Sequence, residues 1–168
     1  INIRSGKDIF RHKGFCPKEY LQPPLCFYQT IIENFNFSNI YIVSNGKENP
    51  VVDELLKQYK NIKYFHGSLE EDAGLVLSAK NLVLPFSSFS LELVKLSDKL
   101  QNLFIYDSLM DRVSFHFTER HLRPCKFNRF IMYPSKEYIN IMFPYGQTKE
   151  QLERMISEKC YKKFKIIP

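Results

Sequence analysis

The sequence predicts an α/β domain, a Rossmann-like parallel sheet flanked by helices. From Ile1 to about Tyr106, short apolar runs of strand length alternate with stretches of helical periodicity. That alternation marks repeated βα units. Turn and cap signals such as Ser44-Asn45-Gly46 and Asn49-Pro50 punctuate the runs, as short connections between strand and helix require. With 168 residues and 44% hydrophobic content, the chain can bury one core of its own.

In chain order, Ile1 to Arg4 reads as the first strand, followed by a polar loop through Gln22. Pro23-Pro24 opens a helix with apolar positions Leu25, Phe27, Tyr28, Ile31 and Ile32, since proline suits the first helical turn. Ile40 to Val43 is the second strand. Asn49 caps a helix that has Pro50 at its first position and runs to about Tyr59. Ile62 to Phe65 is the third strand, and a helix follows from about Ser68 to Ser78. Leu82 to Leu84 is the fourth strand, Ser87 to Leu96 a further helix, and Leu103 to Tyr106 the fifth strand. Beyond Asp107 the alternation fades, so 107–168 is expected to be a mostly helical extension of a single domain. In it, Thr148 to Gln151 forms a capping box for an amphipathic helix through Leu152, Met155 and Ile156. Ile1-Asn2-Ile3 reads as a strand already in progress, so the chain is expected to be part of a longer protein.

Composition narrows the function classes. The aromatic share of 15%, all Phe and Tyr, argues against disorder, and no run of about 18 apolar residues is long enough to span a bilayer. The net charge of +6 suits an anionic ligand without naming it. Cys16, Cys26, Cys125 and Cys160 form no C-x-x-C pair, and the four histidines share no ligand spacing, so no metal site is expected. Free buried thiols are the default, and a disulfide stays open if the chain is secretory. Compartment is left open, the secretory lumen for a eukaryotic source and the cytoplasm for a bacterial or viral one.

In open α/β sheets, ligands bind beyond the carboxyl ends of the strands. The loop Arg4-Ser5-Gly6-Lys7-Asp8 places an arginine, able to fork onto phosphate oxygens, beside a glycine that lets backbone approach them. Ser44 and Asn45 offer a hydroxyl and an amide after the second strand. Asp72 stands in the first turn of its helix, where a carboxylate also serves as a cap. Phe86-Ser87-Ser88-Phe89-Ser90 directly follows the buried run Leu82 to Leu84, and hydroxyls with free N–H groups at a helix start form an anion site.

In this order the segments resemble the α1,2- and α1,6-fucosyltransferase superfamily of GT-B glycosyltransferases, which use GDP-fucose. The family's H-x-R-x-G-D motif is similar to Asn2 through Asp8, and its Asp-helix-strand-S-S-F motif to Asp72 through Ser87-Ser88-Phe89. The segment Gln22 to Tyr28 also looks like one found in a branch of these proteins. The resemblance implies that Arg4 grips the pyrophosphate, Asp72 reads the guanine edge, and Ser88 binds the β-phosphate. It also implies inverting transfer to a glycan acceptor, with Asp8 as candidate base and an amino-terminal half of the parent protein completing the acceptor site. The absence of a D-x-D motif agrees with a donor held without metal or other cofactor.

Asn2 and Lys7 depart from the motif, and Asn45-Gly46 stands where many members of the family carry an acidic residue, which keeps a catalytically inactive nucleotide-binding or interaction module of the same fold as the alternative. A nucleic-acid binder, suggested by the basic and aromatic stretch Arg120 to Phe130, lacks a recognised motif. No nucleic-acid partner is therefore expected.

Overall fold

The computed structural model describes residues 1–10, 21–84, 88–107, 126–161 and 164–167. Their elements are α1 (Lys7–Phe10), α2 (Leu25–Asn34), β1 (Ile40–Val43), α3 (Pro50–Gln58), β2 (Ile62–Phe65) and α4 (Leu69–Leu77). They continue with β3 (Asn81–Leu84), α5 (Ser88–Leu96), β4 (Asn102–Tyr106) and β5 (Asn128–Met132), then α6 (Lys136–Met142), α7 (Lys149–Ser157) and β6 (Lys165–Ile167).

Caps decide where the helices begin. Asn49 Oδ1 accepts the Val51 N–H at 3.0 Å with Pro50 in the first turn of α3. Ser68 and Glu71 form a reciprocal capping box on α4, as Thr148 and Gln151 do on α7. Each pairing satisfies backbone donors that the first turn would otherwise leave open.

Two sheets are present, β1-β2 and β3-β4-β5-β6, parallel throughout except for the antiparallel β6. The amino-terminal segment joins them. Asn2 N–H donates to Val83 O at 2.9 Å and Ile3 N–H to Val43 O at 3.0 Å, while Val43 N–H donates to Ile1 O at 2.9 Å. The expected strand Ile1 to Arg4 is thus reduced to a parallel bridge at Asn2, yet it occupies a strand's place. Across the molecule the order is β2, β1, residues 1–3, β3, β4, β5, β6. Residues 1–3 bridge β1 in parallel and meet β3 through one backbone bond, and counted as the first strand they give the order 3-2-1-4-5-6, compatible with a doubly wound Rossmann-like fold.

Helices cover both faces. One core cluster gathers Phe27, Tyr28, Ile31, Val52 and Leu55 under α2 and α3 with Met142 and Met155. The other gathers Val76, Leu91 and Val94 of α4 and α5 with Leu82, Leu84 and Leu103. Along β3, Leu82 and Leu84 face one cluster and Val83 the other, the period-two alternation of a strand buried on both sides.

The stretch beyond Asp107 departs from the expected helical extension. It holds α6 and α7, but β5 and β6 extend the main sheet. Phe130 stacks on Phe104 at 4.8 Å between centroids, and Phe35 meets both rings edge-on. Phe127 and Phe130 are core residues, which removes these two rings from the base-stacking surface that the Arg120 to Phe130 stretch suggested. Cys26 on α2 is bonded to Cys160 beyond α7, correcting the free-thiol reading for this pair. Cys16 and Cys125 lie outside the described residues. Among the described residues, no helix is long and apolar enough to cross a membrane.

Candidate functional site at the strand-order reversal

Residues 1–3 and β3 are neighbours, but the chain proceeds from them to opposite sides of the sheet. At such a reversal the connections diverge and leave a crevice beyond the carboxyl ends of the strands. The Arg4-Ser5-Gly6 turn leaves from one side of it, while β3 ends beside it at Leu84 and α5 begins at Ser88. Adjacent strands lie about 4.8 Å apart, so the Arg4 turn and the carboxyl end of β3, distant in sequence, are neighbours at one edge of the fold.

The first turn is tied to the loop after β1 by paired polar atoms. Ser5 is fully buried, its Oγ accepts the Asn49 N–H at 2.7 Å, and its own N–H donates to Asn45 Oδ1 at 3.1 Å. Asn49 Nδ2 donates to Arg4 O at 3.2 Å. Ser44, also buried, donates to Gly46 O at 2.9 Å. Ser5, Ser44 and Asn45, expected as ligand groups, are thereby engaged in shaping the turn. What the turn presents is the half-buried Arg4 and the backbone at Gly6, where Ile9 and Phe10 N–H close onto Gly6 O to start α1. Asp8 lies in α1, and only its backbone is described.

On the other side, Ser87 lies outside the described residues, and Ser88, the first residue of α5, is described in backbone only. Phe89 is 45% exposed. Asp72, half-buried, accepts the Gly67 N–H at 3.0 Å and so braces the β2-to-α4 loop. It stands beyond β2, two strand positions from the bridge segment, which is about 10 Å at sheet spacing. Sequence reasoning recognised its place in the first turn but not this loop-bracing bond, because a carboxylate there serves either role.

The larger of two cavities among the described residues, about 460 Å³, lies elsewhere. It opens at the amino ends of β1 and β3, among Ile1, Ile40, Asn81 and Leu82. Size alone would favour it, but the loops that vary freely without breaking the sheet lie at the opposite edge. A second cavity of about 360 Å³ is on that carboxyl edge, beyond Tyr106 of β4 and Met132 of β5. It was not foreseen, because its walls come from β5 and from Tyr133 to Ser135, read as part of a helical extension. Among the described residues, no group of three or more His, Cys, Asp or Glu side chains is placed to hold a metal ion. No protein-family model, curated protein or solved structure matches this chain.

Proposed function

We propose that the chain is the donor-binding half of a fucosyltransferase-like GT-B glycosyltransferase, holding a nucleotide sugar such as GDP-fucose for metal-independent, inverting transfer to a glycan acceptor. The reading is supported by the Arg4 turn leaving the strand-order reversal beside the carboxyl end of β3, four residues before α5 begins at Ser88. Arg4 would fork onto the diphosphate while the serines and N–H groups at the start of α5 take its other oxygens. Asp72 would meet the base beyond β2.

In this reading the acceptor hydroxyl attacks the anomeric carbon as the bond to the diphosphate oxygen breaks. Negative charge grows on the departing diphosphate, where fixed donors stabilise the transition state more than the ground state. Asp8 would take the hydroxyl proton. The Cys26–Cys160 bond supports an oxidising compartment such as the secretory lumen.

One observation favours the second reading, an inactive nucleotide-binding module. Ser5, Asn45 and Asp72 all direct side-chain acceptors at backbone N–H groups of the chain itself.

Calorimetry with GDP, UDP and ADP tests the proposal, with GDP expected to bind most tightly. Arg4→Lys should weaken GDP binding roughly tenfold or more, because lysine keeps the charge but loses the two-pronged geometry. Ser88→Ala should cost less. Equal affinity for the three nucleotides, or an Arg4→Lys chain that binds GDP normally, would sink the assignment.

A further inference from the structure

The cavity beyond β4 and β5 has a composition unlike the switch-point crevice. Its walls include Tyr106, Tyr133 and Tyr161, the hydroxyls of Ser135 and Ser157, and the Arg154–Glu158 pair. Glu158 is 8% exposed. Its Oε1 accepts from Ser135 Oγ at 3.0 Å. Its Oε2 lies against Arg154 Nη2 as an ion pair, but not in hydrogen-bonding alignment. Arg154 Nε is buried with no acceptor. One ion pair beside a cavity therefore leaves a guanidinium N–H without an acceptor and a carboxylate oxygen held by charge contact alone, outside hydrogen-bond alignment.

We propose that this cavity binds a neutral saccharide. A hydroxyl is the group that donates to Glu158 and accepts from Arg154 at once, and an adjacent hydroxyl on a sugar ring could bond Ser157, while Ser135 is held by Glu158 and the Tyr138 N–H. A phosphate cannot donate to the carboxylate when fully ionised, and an ammonium cannot accept from the guanidinium. Tyr161, 84% exposed at the rim, offers a flat apolar face on which a sugar ring can lie with its polar edge toward water. Glu137, 72% exposed, covers the guanidinium at 3.2 Å. An ion pair with so exposed a partner is weak enough for Glu137 to swing clear and open the Arg154–Glu158 pair to the ligand. The tyrosines at the mouth remain neutral donors: burial raises the Tyr106 hydroxyl above its ordinary range, helped by Glu158, and raises Tyr133, helped by Asp107.

The cavity shares no residue with the Arg4 turn, so this assignment does not rest on the nucleotide reading. Saturation-transfer NMR on the intact chain, with galactose, N-acetylglucosamine, lactose and cellobiose, tests it against choline and inorganic phosphate. At least one sugar should receive saturation. Tyr161→Ala should weaken binding about fivefold, and Ser157→Trp, on an exposed position facing the cavity, should abolish it with circular dichroism unchanged. Saturation of none of the sugars at millimolar concentration overturns the proposal. So does binding that survives Ser157→Trp, or binding of choline or phosphate in place of sugar. A chain that binds sugar but not GDP would refute the donor-half proposal and leave this site standing.

Discussion

Around Arg4, the buried side chains of Ser5 and Asn49 direct their polar atoms at backbone of the neighbouring loop, 44 and 45 residues away in sequence, and the loops hold one another in place. Around Glu158, at the same edge of the sheet but three strands along, the packing is aromatic, a disulfide closes the end, and polar atoms of an ion pair lack directed partners. The difference concerns how side chains should be read. A polar group satisfied within the fold is scaffold, and any ligand there must meet backbone or an arginine. A buried polar group left unsatisfied beside a cavity is open to a partner from outside the fold, a water or a ligand.

The largest test of that contrast is covalent. Cys26 and Cys160 are 134 residues apart, and closing a loop of that length restricts the unfolded chain by about 5 kcal/mol in the chain-entropy account. Replacing both cysteines with serine should lower the unfolding free energy by up to that amount, measured by urea denaturation. Reducing agent should do the same to the unsubstituted chain. A loss below about 1 kcal/mol would mean that the rings of Phe35, Phe104, Phe130 and Phe164 hold this end without the staple.

At the other end, Ser5→Ala removes the acceptor for the Asn49 N–H, which is buried with no exposure. An orphaned buried donor costs about 1–3 kcal/mol, and the loss should appear as a lower urea midpoint with an unchanged slope. A negligible loss would show that water reaches the knot, and that its hydroxyls are open to a ligand after all.

Most of the βα framework was legible in the sequence, because its signals are local. Ile40 to Val43 and Ile62 to Phe65 are apolar runs bounded by turns, and they are β1 and β2. Asn49-Pro50 and Thr148 with Gln151 mark helix starts through bonds only two or three residues long. The strand-order reversal was not legible, since it depends on Asn2 meeting Val43 and Val83 across long separations. Asn128 to Met132 was missed as a strand because Arg129 interrupts its apolar run and Phe127 and Phe130 read equally well as a basic aromatic surface. Of the two serines expected to hold phosphate, Ser88 is the first residue of α5 and Ser87 lies outside the described residues. Ser5 and Ser44, read as ligand groups, bond the chain's own backbone in the structure, because residue type names what a hydroxyl can bond but not which partner comes nearest.

The smallest effect separates the surface of the amino-terminal half from the buried tyrosines. Tyr59, at the end of α3, donates to Glu33 Oε1 at 2.7 Å and so links α3 to α2 across the surface. Partial burial first, and then the bond and charge of Glu33, push its hydroxyl up to about 12. A hydroxyl raised in the folded state stabilises the fold fully below its unfolded value, near 10, and that contribution fades as pH rises toward the folded value. Because the bond is exposed, solvent screening reduces its worth to a few tenths of a kcal/mol. Tyr59→Phe should therefore be slightly less stable than the unsubstituted chain at pH 8, and the gap should narrow by pH 11, measured by urea unfolding at both values. Tyr28, Tyr106 and Tyr138 behave differently: burial raises all three further, so their absorbance change at high pH should coincide with unfolding and not precede it. A gap between Tyr59→Phe and the unsubstituted chain that widens with pH would mean that the hydroxyl bonds Glu33 more strongly in the unfolded chain than in the folded one. The α2–α3 link would then have no part in holding the amino-terminal half together.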